Sequence, residues 1–322
     1  MKHVFVVNPT AGKKGRDAQR VLPQIDAYCK AQKLDFEVYC TKCGGDGLRF
    51  VKEYCQKAQG AHTRFYACGG DGTIFEVVNG VYGFENVEVA ALPLGSGNDF
   101  IRLFGTKEQL ADVEAQVRGT AIPLDLIRCG DKIAINECSM GMDAEVCKKQ
   151  SDFKKLPLVS GEMAYTFSAL WALMKKAGNV FTISVDDKPA VKQKVIFCFV
   201  GNSRWYGGGY MGGPLAMPND GLLDIIVVRK EMSRLKLLSL LGKYKKGQHL
   251  SWPFTQFIRG KKITVHAEIP AVVNVDGECE IVTDCTMEII PAGIRFVVPA
   301  NSTFFDDVKS GRISAEKPIP LK

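Results

Sequence analysis

The chain has 322 residues, of which 46% are apolar and 24% charged, with a formal net charge of +7. That length accommodates two ordinary domains, and the composition is that of a globular protein rather than a disordered one. The basic excess points to an anionic partner, a nucleotide or an acidic membrane surface; the lack of an arginine-rich tract or nucleic-acid motif argues against nucleic acid, and no apolar run reaches the roughly 20 residues that cross a bilayer.

The first third alternates strands and helices. Lys2–Val7 reads as an apolar strand ending in the turn Asn8-Pro9-Thr10-Ala11-Gly12, and a helix over Gly15–Gln32 follows. The turn and its Lys13-Lys14 lack the spacing of a Walker P-loop, but small residues with two lysines after a strand can still grip phosphate. Asp35–Tyr39 reads as a second strand and Asp46–Gln59 as a second helix. Between them lies Cys40-Thr41-Lys42-Cys43, whose CxxC has no second pair at zinc-ribbon distance. Thr63–Cys68 is a third strand, and Gly69-Gly70-Asp71-Gly72-Thr73 leads into a helix over Thr73–Val81. Such glycines let the backbone turn tightly and approach a bulky anion, and the N–H groups at a helix start favour phosphate. A carboxylate inside that cradle repels phosphate unless a divalent cation lies between them. The motif therefore suggests nucleotide plus metal, against the plainer alternative of a strand–turn–helix connection. Glu88–Pro93 is a fourth strand, ending in Leu94-Gly95-Ser96-Gly97-Asn98-Asp99-Phe100. This last turn is not the dinucleotide fingerprint, since the third glycine and the ribose acid are missing. The alternation implies a parallel sheet with helices on its faces, so that all the polar turns share the C-terminal strand edge.

After Pro123 the strands become longer and more often adjacent. Val180–Val185 and Ala190–Val200 flank a hairpin turn at Asp186-Asp187-Lys188-Pro189. Gly221–Arg229, Lys261–Glu268, Ala271–Val275, Cys285–Ile290 and Gly293–Pro299 are further strands, with helices near 160–176 and 233–246. The stripe Met163, Phe167, Leu170, Trp171 and Met174 reads as a core face. The fold class is thus an α/β N-terminal nucleotide-binding domain, residues 1–123, plus a mostly antiparallel, β-sandwich-like C-terminal domain, residues 124–299, with a tail, 300–322, packing back on the first. Met217-Pro218-Asn219-Asp220-Gly221-Leu222 gathers oxygen ligands that suit Mg²⁺ or Ca²⁺, or else forms an Asx-type turn. Asn274-Val275-Asp276-Gly277-Glu278 reads first as a hairpin; if it faces the nucleotide, Glu278 could accept a proton from a hydroxyl. The 11 cysteines are scattered and odd in number, and Met1-Lys2-His3-Val4 enters a strand with no signal peptide, so reduced thiols and a cytoplasmic location are expected.

Taken in order, these motifs together with Pro123-Leu124-Asp125, Met140-Gly141-Met142-Asp143-Ala144-Glu145-Val146 and Gly201-Asn202-Ser203 through Gly207-Gly208-Gly209 resemble the diacylglycerol kinase catalytic family, which includes soluble bacterial lipid kinases and sphingosine kinases. The resemblance covers nearly the whole chain. It implies ATP and Mg²⁺ as cofactors and phosphoryl transfer to a lipid hydroxyl, with diacylglycerol the first expectation and phosphatidylglycerol, a sphingoid base or an NAD kinase activity the alternatives. It implies nucleotide contacts at Asn8, Pro9, Thr10, Ala11, Gly12, Thr41, Gly69, Gly70, Asp71, Gly72, Thr73 and Ser96, where the family often has threonine. Asp71 matches an acid near nucleotide and magnesium, and Glu278 the proton acceptor; these are the expected catalytic pair. Asp220, with the carbonyls of Met217 and Leu222, matches a magnesium site, Asn219 replacing an acid of some relatives. Asn98, Asp99, Asp125 and Asp143 match polar cleft positions. A lipid substrate implies peripheral contact with an anionic membrane surface. The segment Arg234, Leu235, Lys236, Leu237, Leu238, Leu240, Leu241, Lys243, Lys245 and Lys246 is either an interfacial helix or a surface helix with its leucines in the core. Sheet edges in the second domain could pair in a homodimer.

Overall fold

The computed structural model describes residues 1–12, 15–95, 97–153 and 178–316. Lys13, Lys14, Ser96, the expected helix at 160–176 and residues 317–322 lie outside the described residues, as do the side chains at 150–153, 234 and 235. The chain divides into two compact units, Met1–Leu124 with Ala292–Gly311, and Asp125–Pro291 with Arg312–Lys322. The chain therefore re-enters the first unit at 292, eight residues before the expected return at 300, within a strand rather than after it.

The first unit is built from β1 (Lys2–Val7), α1 (Arg16–Ala31), β2 (Phe36–Cys40), α2 (Asp46–Ala58), β3 (Thr63–Gly69), α3 (Asp71–Val81) and β4 (Val87–Pro93), followed by the short helices α4 (Lys107–Leu110) and α5 (Val113–Val117). The strands pair in parallel in the order β4-β3-β1-β2, and Phe296 of the returning chain lies parallel beside Val89. β1, β3 and β4 are almost wholly buried, as expected of parallel strands covered on both faces. α1 contributes Ala18, Val21, Ile25 and Cys29 to the core at helical spacing. One boundary differs from expectation in an informative way. α3 starts at Asp71 rather than Thr73, so Asp71 occupies the first helical turn, where the helix dipole favours an acid.

The second unit holds β5 (Thr120–Cys129, its first residues in the first unit), β6 (Lys132–Ala134), β7 (Glu137–Gly141), α6 (Met142–Phe153), β8 (Asn179–Val185), β9 (Val191–Gly201), β10 (Leu223–Arg229), α7 (Arg234–Lys245), β11 (Thr255–Gly260), β12 (Lys262–Val275) and β13 (Glu278–Val298). The strand order is β11-β10-β9-β7-β12-β13, antiparallel throughout, with β8 pairing both β9 and β12. The two strands expected over 261–268 and 271–275 form one strand, β12, with a register break between His266 and Ala271. Pro270 sits in that break, where it has no ladder hydrogen bond to donate. Cys285–Ile290 and Gly293–Pro299 are likewise parts of one strand, β13, whose end runs into the first unit.

The tail splits between the units. The helix Phe304–Lys309 belongs to the first, with the Phe304 ring 4.9 Å from that of Phe104. Residues from Arg312 belong to the second, where Arg204 donates to Ser314 O at 2.8 Å and Arg259 to Ala315 O at 2.6 Å.

α7 closes an aromatic core of Phe197, Phe199, Tyr206, Tyr244, Trp252 and Phe254. Leu237 is buried, and Leu240 and Leu241 pack against the cluster. Leu238 stays exposed. His249 lies within this core, its Nε2 3.0 Å from Gly212 O. Burial lowers its pKa from 6.5 to about 4, against the opposing effect of that hydrogen bond. The folded state thus resists protonation, so the contribution of His249 to stability is complete above pH 6.5 and is lost as pH falls from there toward 4. Comparing unfolding of the wild type and His249→Phe across this window checks the point. The wild type is expected to lose about 1.4 kcal/mol per pH unit more than the variant; parallel pH profiles would contradict it.

Candidate active site

In the first unit the parallel register brings the polar turns to one sheet edge. Along it, Thr41 follows β2, Asn8 follows β1, Gly69 closes β3 and Gly95 follows β4. Asn8 N–H donates to Cys68 O at 2.9 Å and Thr41 N–H to Val7 O at 2.9 Å, which ties each turn to the neighbouring strand. The Asn8 carbonyl Oδ1 accepts from Thr10 N–H at 3.0 Å and Thr10 Oγ1–H at 2.8 Å, an Asx-type turn that fixes the Asn8–Gly12 loop. Gly69 O accepts from Leu94 N–H at 2.8 Å and Gly95 N–H at 3.1 Å. The glycine turns consequently touch: a Cβ on Gly95 would lie 2.6 Å from Gly70 Cα, closer than any side chain allows. A Cβ on Gly72 would meet nothing within 4 Å, so this face of the motif is open.

Asp71 Oδ1 accepts from Asp99 N–H at 2.8 Å. Burial, then the Asp99 carboxylate, raises the Asp71 pKa to about 6, with the N–H groups of Asp99, Phe100 and Asn98 pulling the other way. Arg102 holds the adjoining loop, its Nε on Asp99 Oδ1 at 3.0 Å and its Nη2 on Gly97 O at 3.1 Å. Lys107 Nζ reaches Gly95 O at 3.3 Å. Asn98, at φ 52°, donates to Gly95 O at 2.7 Å, while its Oδ1 is buried with no partner among the described residues.

The second unit gathers the remaining acids. Asp125 N–H donates to Pro218 O at 2.6 Å and its Oδ2 accepts from Gly221 N–H at 2.7 Å, so Asp125 braces the Met217–Leu222 loop from both ends. Asp220 Oδ1 accepts from Leu222 N–H at 3.0 Å; burial raises its pKa, with the Leu222 N–H and Arg259 opposing. Asn202 Nδ2 donates to Asp125 O at 2.7 Å and Ile135 O at 2.8 Å, and its N–H to Asn136 O at 2.9 Å. Asn136 N–H in turn donates to the Asp276 carboxylate at 3.1 Å. One hydrogen-bonded chain thus joins the Asp220 loop, Asp125 and the hairpin between β12 and β13. Asp143, in the first turn of α6, is buried and accepts from Tyr206 O–H at 2.6 Å. Glu278 is exposed at the first position of β13, opposite Val275.

The sequence therefore located the loops but missed what holds them. Asn136, Glu137, Asn202 and Asn274 carry the bracing in the second unit, and Arg102 in the first. Asn202 stood inside a noted motif, and its position directly after a strand was the available signal. Among the described residues, no cluster of three or more His, Cys, Asp or Glu is placed to hold a metal. No helix among them is long and apolar enough to cross a membrane.

Residues 2–129 match the diacylglycerol kinase catalytic domain, and residues 136–298 match the YegS C-terminal, NAD kinase β-sandwich-like domain. YtlR of Bacillus subtilis, named as a lipid kinase, is 28% identical over 306 residues, covering 90% of this chain and 97% of YtlR. The Bacillus subtilis diacylglycerol kinase is 25% identical over 281 residues, 85% of this chain and 88% of its own. A Bacillus anthracis structure described as a diacylglycerol kinase shares the fold at a TM-score of 0.71 and 23% identity, covering 92% of this chain and 96% of that one. The chain belongs to the diacylglycerol kinase catalytic-domain family with the YegS-type C-terminal domain. It is accordingly a lipid kinase, a phosphotransferase whose family uses ATP.

The touching turns give a direct test. Gly95→Ala must push the two turns apart, at a cost of about 1–3 kcal/mol. Gly72→Ala meets open space in a helix and should be neutral or slightly stabilising. Urea unfolding of both variants checks this; equal stabilities would mean that the turns are not in contact.

Proposed function

We propose that the protein transfers the γ-phosphoryl group of ATP to the hydroxyl of diacylglycerol, giving phosphatidic acid. The observation that carries this reading is the single sheet edge at which the Asn8, Gly69–Thr73 and Gly95–Asp99 turns meet, with its open face over Gly72. Backbone N–H groups of these turns and the start of α3 would bind the phosphates, with Thr41 and Ser96 adding polar contacts. Asp71 and Asp99 would face the phosphates across a divalent cation. Glu278, exposed at its hairpin, would orient the acceptor hydroxyl and take its proton late, as the oxygen bonds to phosphorus.

Mg²⁺ would supply charge neutralisation of the phosphates. The donor set of Asp220 and the carbonyls of Met217 and Leu222 is all oxygen, which suits a hard cation completed largely by water. Asp125 would keep that loop in place through Gly221 N–H. Diacylglycerol is preferred as acceptor because it is the substrate named for the B. subtilis relative. Transfer of labelled phosphate from ATP across a panel of diacylglycerol, phosphatidylglycerol, a sphingoid base and NAD tests the choice. Diacylglycerol should be the best acceptor, with Glu278→Ala lowering the rate at least 100-fold, about the effect of a lost general base, and Asp71→Ala, which removes charge neutralisation at the phosphates, lowering it by a similar order. NADP formation without lipid phosphorylation would overturn the reading.

A lipid acceptor requires docking on a membrane surface. With Leu237, Leu240 and Leu241 committed to the core, what is left for docking is exposed Leu238, Lys236 and Lys243 on α7 and Lys246 just past its end. Each lysine near an anionic surface would contribute about 1 kcal/mol. Charge reversal at Lys243 and Lys246 should weaken binding to anionic vesicles while sparing activity on a short-chain soluble diacylglycerol. Equal loss in both assays would exclude the docking role.

A further inference from the structure

Both loop residues before Glu278 are tied down: Asp276 to the backbone at the start of β7 and just before it, Gly277 to Asn274, which in turn binds Glu137 of β7. Asp276 and Gly277 form a two-residue hairpin loop at φ 49° and 104°, the left-handed pair typical of a tight β-hairpin. The Asp276 carboxylate accepts from the N–H groups of Ile135 at 2.7 Å, Asn136 at 3.1 Å and Glu137 at 2.8 Å, and Asp276 N–H donates back to Glu137 O at 3.1 Å. Gly277 N–H is capped at 2.8 Å by Asn274 Oδ1. The other end of that amide, Nδ2, donates to Glu137 Oε1 at 2.5 Å and to Ser139 Oγ at 3.3 Å. Asn274 Oδ1 also receives the Cys147 thiol at 3.4 Å and that of Cys279 at 3.8 Å.

We propose that Glu137 and Asn274 are positioning residues for the phosphoryl-transfer reaction: they hold the Asp276-Gly277 loop so that Glu278 is presented in one orientation to the acceptor hydroxyl. The proposal rests on the reading of Glu278 as the proton acceptor. Glu137 and Asn274 are 3% and 1% exposed, so neither is available to touch substrate directly. The amide of Asn274 is the only bridge described between Gly277 N–H and β7, and its orientation is fixed by needing an acceptor at Nδ2 and a donor at Oδ1. Glu137 supplies that acceptor. Burial, then the Asp143 and Asp276 carboxylates, pushes its carboxyl well above the usual range.

Steady-state kinetics on diacylglycerol micelles with Glu137→Leu, Glu137→Gln, Asn274→Ala and Glu278→Gln, together with their melting curves, test the proposal. Glu137→Leu and Asn274→Ala should lower kcat at least tenfold with the KM for ATP within twofold of wild type. Glu137→Gln, which keeps the acceptor oxygen, should recover kcat to within about threefold. In a Glu278→Gln background, Glu137→Leu should cause no further loss, because there is no base left to position. Wild-type kcat in Glu137→Leu, an undiminished loss in Glu137→Gln, or a further tenfold loss in the Glu278→Gln background would each overturn the positioning role. Full activity of Glu278→Gln alone would instead overturn the base assignment, and this inference with it. If Glu137→Leu melts below the assay temperature, the same comparison is made with Asn274→Ala and Glu137→Gln.

Discussion

The contact on which the first unit depends is the one between neighbouring strand ends. Gly69 O takes the N–H groups of both Leu94 and Gly95, so the turns after β3 and β4 lie against each other with no room for a side chain between Gly70 and Gly95. Parallel pairing in register over seven residues, from Thr63 against Val87 to Gly69 against Pro93, makes the two strands stop together. Because both stop at the same level, two sets of backbone N–H groups and two acids, Asp71 and Asp99, meet at one edge. The acids are close enough for each to raise the cost of charging the other, and Arg102 offsets part of that cost at Asp99. The proposed reading would place a cation and a polyanion together at this edge.

The second unit solves a different problem, that of fixing acids on turns. Its strands are antiparallel, so they end in hairpins and loops rather than at one aligned edge. Asparagine side chains supply the rigidity instead. The Asn202 amide bridges two carbonyls, the Asn136 amide reaches Trp205 O, and the Asn274 amide caps Gly277. An amide offers a donor and an acceptor a fixed distance apart, which allows it to link segments of backbone that no ladder joins. The exposed Glu278 is held by this buried scaffold.

Much of the first unit was legible in the sequence because its strands are apolar runs punctuated by glycine, the pattern of a covered parallel sheet. The start of α3 was misplaced by two residues, since Asp71 reads as part of the turn until its first-turn position is seen. The second unit was less legible. β7 runs Glu137-Cys138-Ser139-Met140-Gly141 and is buried throughout, yet no apolar alternation marks it. Its polar side chains find partners distant in sequence, Glu137 Oε1 and Ser139 Oγ both accepting from Asn274 Nδ2. β13 was divided in two because Ala292, at φ 50°, and the nearby Pro291 and Gly293 read as a break, whereas the strand continues through them. Glu278 was located by its motif, but the residues that hold it sit on another strand.

The central claim is that the phosphates of ATP rest on the strand ends of the first unit. A crystal structure of the protein with Mg²⁺ and a non-hydrolysable ATP analogue tests it most directly. The account predicts phosphate oxygens within hydrogen-bond distance of N–H groups in the Gly69–Thr73 and Gly95–Asp99 turns. A nucleotide bound away from these turns would contradict the account.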